Sequence, residues 1–172
     1  MGEVIAVIFF VYALSSILYW SLKLGISPMF SSYSCMKSIN TLVQSSTKNK
    51  VVDLGSGWGF LAIYLARKNP TKEIVGYELS TLPFYFSRLL LLCFGLDNCR
   101  FVKKNYLDQD LNGILAVTYL FPKGMDLLEQ KLQKQRGSLS LISSTFAFKK
   151  LQPYRTYYVD DLHKTPIYYY KL

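Results

Sequence analysis

Val51-Val52-Asp53-Leu54-Gly55-Ser56-Gly57-Trp58-Gly59 is the stretch that decides the fold. A short apolar run runs into three glycines spaced two apart, and helical spacing begins at once with Leu61, Tyr64 and Leu65 on one face. Glycines remove Cβ atoms, so a ligand can approach the backbone at the carboxyl end of the strand. That edge is where open α/β sheets bind their ligands.

Working outward, the same alternation continues. Residues 60–68 predict a helix that Pro70 ends, and residues 73–78 (Glu-Ile-Val-Gly-Tyr-Glu) a second strand. Residues 81–94 predict an unusually apolar helix stopped by Gly95, readable either as a thick core helix or as a surface resting on lipid. Residues 100–103 and 114–119 predict strands three and four. An amphipathic helix with Met125, Leu128 and Leu132 is expected over 123–135, then a fifth strand over 138–143. Residues 154–159 and 167–170 predict a closing antiparallel pair, Tyr168-Tyr169-Tyr170 reading as a final strand with one edge at an interface. Before the glycine stretch, a helix is expected over 34–44. The expectation is an α/β, Rossmann-like, mainly parallel sheet with helices on both faces.

Nineteen residues after Gly59, at the end of the second strand, stands Glu78. An acid there can accept hydrogen bonds from both ribose hydroxyls of a nucleoside. Dinucleotides call for GxGxxG, whereas this loop reads GxGxG, with no glycine following Phe60. Asp53 also places a carboxylate beside the loop, which disfavours a pyrophosphate and suits an ammonium group. S-adenosylmethionine offers that amine, a ribose and a cationic sulfonium. A nicotinamide or flavin cofactor and a purely structural glycine turn are the weaker readings.

The N-terminal flank has a different character. Residues 4–22 carry no charge for 19 positions, and a helix of that length spans roughly 28 Å, close to a bilayer's hydrocarbon core. Tyr19 and Trp20 stand where an interfacial aromatic pair is expected, just before Lys23. The start lacks basic residues, and Ser27-Pro28 follows with no small-x-small cleavage site, so an uncleaved transmembrane anchor over 1–26 is expected ahead of one domain over 27–172. Lys23, Lys37, Lys48 and Lys50 flank the segment on its C-terminal side, which places the domain on the cytoplasmic or equivalent interior face of a membrane. The formal net charge is +9, which favours anionic surfaces. Its basic residues are scattered, and no stacking motif points to nucleic acid. A lone histidine, His163, excludes multi-histidine metal sites, and no metal is expected. Cys35, Cys93 and Cys99 form no CxxC pair and read as free thiols.

The glycine motif resembles that of class I S-adenosylmethionine-dependent methyltransferases, whose loop is acid-x-Gly-x-Gly-x-Gly. The resemblance implies that Asp53, Gly55, Ser56, Gly57 and Gly59 surround the methionine part of the donor, that Glu78 holds its ribose, and that Asn105 and Tyr106 meet or line the adenine site. Further stretches are similar to one branch: Ser27-Pro28-Met29-Phe30, Gly76-Tyr77-Glu78-Leu79-Ser80 with Phe84-Tyr85-Phe86-Ser87-Arg88, Tyr119-Leu120-Phe121-Pro122, and Ser144-Thr145-Phe146-Ala147-Phe148 ahead of Gln152-Pro153. With the anchor, they resemble the membrane-bound protein-lysine methyltransferases of the mitochondrial ATP synthase c-subunit and adenine nucleotide translocase, and their prokaryotic relatives. This chain differs in carrying Trp58 and Asn105 where that branch usually has Asp, and Ser144-Thr145-Phe146 where an Arg-Phe pair is common.

The resemblance implies a membrane protein bearing the acceptor lysine as partner, with lipid met through the N-terminal helix. A lysine must lose its proton before it can attack, and an aromatic wall that desolvates the amine serves that end. Tyr119, Phe121, Phe146 and Tyr154 are the candidate wall, with Pro122 fixing the loop into the site. Methylation of a lipid or other small hydrophobic molecule, and a non-catalytic donor-binding scaffold, remain alternatives.

Overall fold

The computed structural model describes residues 32–172 other than Arg136, together with Gly2, Val4, Val11, Tyr12 and Ser15. The expected anchor over 1–26 falls for the most part outside the described residues, and the Ser27–Phe30 stretch lies wholly outside them. Among the described residues no helix is long and apolar enough to cross a membrane.

Seven strands form one sheet: β1 (Lys50–Leu54), β2 (Glu73–Tyr77), β3 (Cys99–Val102), β4 (Leu115–Thr118), β5 (Ser140–Ser144), β6 (Arg155–Tyr158) and β7 (Pro166–Lys171), in the order β3-β2-β1-β4-β5-β7-β6. The first five are mutually parallel, with Leu54 level with Tyr77 on one side and with Thr118 on the other. The chain leaves β1 toward β2 and β3 on one side, then crosses to β4 and β5 on the other. Strand order therefore reverses between β1 and β4, and a crevice opens there at the carboxyl edge.

Near-continuous apolar runs explain the central strands. Val51, Val52 and Leu54 are all buried, because both faces of a parallel sheet are covered. On one face α1 (Tyr33–Ser45), α2 (Phe60–Lys68) and α3 (Thr81–Phe94) contribute Ile39, Val43, Leu61, Leu65 and Phe84 to a core with Val51 and Ile74. On the other, α4 (Pro122–Lys134) packs Met125, Leu128 and Leu132 against Leu54, Leu141 and Tyr170. Local chemistry sets the helix ends. The Ser32 hydroxyl accepts from the Cys35 amide at the start of α1, Gly95 ends α3 at φ 57°, and Pro122 opens α4, where no intrahelical N–H is needed.

The C-terminal pair departs from expectation in one respect. β7 is antiparallel to both β5 and β6 and sits between them, so Tyr168-Tyr169-Tyr170 lies within the sheet and presents no free edge. The Tyr170 hydroxyl accepts from the Phe148 amide at 3.0 Å, which gives that buried phenol a partner and ties down the segment after β5.

Candidate functional site

The parallel strands bring five loops to one edge: the glycine loop after β1, Glu78 after β2, Asn105 after β3, Tyr119–Phe121 after β4 and Phe146 after β5. The glycine loop is held from below. Gly55 and Ser56 amides both donate to the Tyr77 carbonyl, at 3.0 and 2.9 Å, and Gly59 closes the turn onto Ser56 at 2.9 Å. Gly55, Gly57 and Gly59 have φ of 77°, 52° and 86°, the left-handed region that side chains avoid. Two of them serve different ends. A Cβ on Gly59 would lie 2.6 Å from Phe101, so this glycine lets α2 close onto the sheet. A Cβ on Gly57 would meet nothing within 4 Å, so this glycine keeps the crevice side clear.

Glu78 is almost fully buried, and its carboxylate accepts from the Gly57 amide at 2.8 Å and from the Ser80 amide at 2.6 Å. The acid expected to grip a ribose thus also braces the loop, a role the residue pattern did not disclose. Asp53 is 4% exposed, and its carboxylate takes no hydrogen bond from any described residue. Burial, and then the neighbouring charge of Glu78, push it up to about 7. Burial and the charge of Asp53 likewise push the Cys99 thiol up to about 12, which leaves it protonated.

Two hydroxyls beside this acid pair are buried and without a partner among the described residues: Ser56 Oγ and Tyr106 OH. Ser56 Oγ lies over Gly76, 2.7 Å from where a Cβ there would stand. Burial and then the Glu78 charge raise the Tyr106 phenol above its usual range. Two orphaned hydroxyls beside a buried acid pair form an incomplete polar site, since such groups are ordinarily satisfied. A cationic, hydroxyl-rich ligand completes it, which is the fit S-adenosylmethionine requires.

The two expected adenine-site residues differ in what they have left to offer. The Asn105 side-chain oxygen accepts from the Leu107 amide at 3.0 Å and caps the short turn Tyr106–Asp108, leaving only its NH2 to offer. Tyr106 is 2% exposed, its ring within the core, so its hydroxyl rather than its ring face is directed at the Glu78 region. Trp58, half-buried, stacks edge-on against Phe86 with ring centres 5.1 Å apart.

The aromatic group assembles across β4 and β5. Tyr119 stacks on Phe146 with ring centres 6.1 Å apart and planes 21° apart, and Phe121 meets the same ring edge-on at 6.1 Å. Pro122 is exposed and acts as the first residue of α4. Tyr154 does not join them. It precedes β6, is 66% exposed, and packs on Tyr169 beneath the Lys171 ammonium.

One residue whose role the motifs did not disclose positions this wall. Thr145 has φ 70°, a conformation a β-branched residue rarely adopts, and the Phe146 amide donates to the Ser144 carbonyl across it at 2.8 Å. The Ser143 hydroxyl then donates to the Phe146 carbonyl at 2.6 Å. The chain is bent sharply here, and the bend delivers Phe146 to Tyr119 and Phe121. Among the described residues no three His, Cys, Asp or Glu side chains come together as a metal site.

The reversal of strand order, the glycine loop over the carboxyl edge and the acid pair beneath it define a class I S-adenosylmethionine-dependent methyltransferase. Within that class the chain belongs to the ANTKMT methyltransferase domain family, whose model matches residues 53–155. Among solved structures, it is similar to an RNA methyltransferase from Salinibacter ruber in complex with S-adenosyl-L-homocysteine, at TM-score 0.72, 21% identity, 83% of this chain and 93% of that one. It is also similar to a SAM-dependent O-methyltransferase from Thermotoga maritima, at TM-score 0.60, 12% identity and 82% and 65% of the two chains. A third is TrmK of M. capricolum in complex with S-adenosyl-homocysteine, at TM-score 0.58, 16% identity and 83% and 68% coverage. At these identities the likeness is one of fold. No curated protein matches the chain.

Proposed function

We propose that this methyltransferase acts on lysine side chains of a membrane protein, and that residues 1–26 anchor it in the same membrane with the domain on the interior face. The observation that carries the substrate reading is the aromatic wall of Tyr119, Phe121 and Phe146 at the strand edge that also bears the glycine loop. Membership of the ANTKMT family and the sequence stretches shared with that branch support it. The uncharged run over 4–22 with its lysine-rich flank supports the anchor.

When bound, S-adenosylmethionine supplies an electrophilic methyl group on a sulfonium. In this reading Asp53 holds the donor's ammonium, Glu78 its ribose hydroxyls, and Ser56 and Tyr106 give their free hydroxyls to its polar edge. The acceptor amine ionises near 10.4 in water, so neutrality at pH 7 costs roughly 4–5 kcal/mol. The wall offsets part of that cost by displacing water, and its ring faces tolerate the methylated cation that results. Holding the amine about 3–3.5 Å from the methyl carbon is then most of the catalytic task. An anchor adds effective concentration by confining enzyme and target to one surface.

Incubating the purified full chain with methyl-labelled donor and membranes of its own cells tests the proposal. Label on lysine of a membrane polypeptide, lost with Phe146→Ala, is the expected result. Label that partitions wholly into the lipid extract, or into RNA, rejects protein lysine as the acceptor. Release of the protein by an alkaline carbonate wash rejects the anchor.

A further inference from the structure

The helix α3 is apolar nearly all round, and the structure divides its two faces. Pro83, Phe84 and Ser87 turn inward and are buried. The outward side carries Tyr85, Leu89 and Leu92, 59%, 61% and 80% exposed, at spacing i, i+4, i+7. That is the spacing of a continuous helical stripe, yet it faces away from the core. Phe86 and Phe94 flank it, both exposed. An apolar groove of about 470 Å³ between α1, α2 and α3 extends the patch to Phe60, Tyr64, Leu90 and Tyr33, the first residue of α1.

Cations surround this face, interleaved with its aromatics. The Arg67 guanidinium lies 5.2 Å from the Phe94 ring centre and the Lys103 ammonium 5.7 Å from Tyr85, and the exposed Arg88 lies 5.9 Å from the inward-turned Phe84. Lys68 adds a further exposed charge on the rim of the groove. No acid occurs in α3, and the first one after it, Asp97, comes beyond Gly95. Exposed leucines and aromatics bordered by Lys and Arg are the composition of a helix that lies in a membrane interface, apolar groups among the acyl chains and cations among anionic headgroups.

The geometry points to the outer face of α3, with the groove beside it, as a second membrane contact that rests on an anionic leaflet. The occupant is lipid, because the cations match anionic headgroups and the stripe from Tyr85 to Leu92 is apolar. Seating the helix this way has a consequence for the site. Phe86 touches Trp58 of the glycine loop, so the donor crevice is held one side-chain layer from the membrane surface. This inference is independent of the N-terminal anchor, which would fix the chain to a membrane without fixing how the domain lies on it.

The chain carries its own reporter. Cys93 lies on the exposed side of α3, whereas Cys35 and Cys99 are buried, so a thiol-reactive spin label is directed to position 93. The full-length chain is labelled and reconstituted into protein-free vesicles rich in phosphatidylglycerol, with the Leu89→Glu/Leu92→Glu double variant as reference. In the wild type, collisions with an aqueous nickel chelate fall severalfold relative to the variant and collisions with dissolved oxygen rise. High salt reverses part of the effect. Equal access of the chelate to wild type and variant, with both retained on the vesicles, overturns the docking while leaving the anchor intact. Shielding that arises only after a membrane protein substrate is added assigns the face to protein and also overturns it. A shielded label on protein that an alkaline wash removes supports docking and rejects the anchor.

Discussion

The Glu78 carboxylate accepts the Gly57 amide at 2.8 Å, so the end of the second strand braces the tip of the loop after the first. The same carboxylate caps Ser80 at the start of α3. Glu78→Ala removes both acceptors and orphans two N–H groups, at about 1–3 kcal/mol each. It is expected to lower the midpoint of thermal unfolding and to weaken donor binding by at least about tenfold, the worth of one charged hydrogen bond. Calorimetric titration with S-adenosylhomocysteine, run beside the thermal scan, checks both. Unchanged affinity would remove Glu78 from the donor site.

Asp53 gives the pH dependence a definite sign. In the unfolded chain an aspartate ionises near about 3.9, while in the fold burial and the Glu78 charge raise it to about 7. Between those values the native chain keeps a proton that the unfolded chain has lost. Its stabilising contribution is therefore complete below about pH 4 and is lost as pH rises through about 7. Asp53→Asn should flatten that slope in denaturant unfolding measured from pH 4 to 8. Donor binding runs the opposite way, because an ammonium needs the carboxylate. Affinity should rise by up to about tenfold per pH unit until about pH 7, with proton uptake by buffer visible in titrations made in buffers of different ionisation heat. Binding without proton release at pH 6 would show that Asp53 does not meet the donor's cation.

The two glycines separate packing from ligand access. Gly59→Ala drives a methyl to 2.6 Å from Phe101 and 2.7 Å from Ser87 and should cost several kcal/mol. Gly57→Ala meets open space, so only the strain of its φ of 52° is added, about 1–2 kcal/mol. The second variant should fold and yet bind donor much more weakly, because its methyl enters the crevice. Chemical denaturation with donor titration distinguishes them, and a Gly57→Ala protein of wild-type affinity would contradict the placement.

These contrasts mark what was legible in the sequence. The strand-glycine-helix signal at 50–68 and the alternation that follows it were plain, because hydrophobic period and Gly/Pro punctuation are local properties. So was the antiparallel closing pair, though not that β7 would enter between β5 and β6, since pairing partners are chosen by tertiary packing. In the site, the acids and glycines could be named in advance. The brace from Glu78 to Gly57 could not, because it joins residues 21 apart through a side-chain rotamer. Asn105 shows the same limit. A residue read for ligand contact spends its oxygen on capping a turn, the commonest use of Asn at such a position.

Thr145 offers a further test. Its φ of 70° costs about 1–3 kcal/mol in a β-branched residue. Thr145→Gly should relieve that strain and raise stability by about 1 kcal/mol, after the larger chain entropy that glycine loses on folding. The gain in stability should come with a lower kcat at little changed donor affinity, since Phe146 is then held less firmly against Tyr119. Thermal unfolding paired with steady-state kinetics reads both. A Thr145→Gly enzyme of full activity would show that the bend does not position the wall.

The central claim is that the crevice above Glu78 and Gly57 takes the methyl donor. A crystal structure of the full chain with S-adenosylhomocysteine tests it most directly. Ribose hydroxyls are expected within hydrogen-bond reach of Glu78, an ammonium beside Asp53, and partners for Ser56 Oγ and Tyr106 OH. Ligand density seated elsewhere, with those two hydroxyls still unpaired, would contradict it.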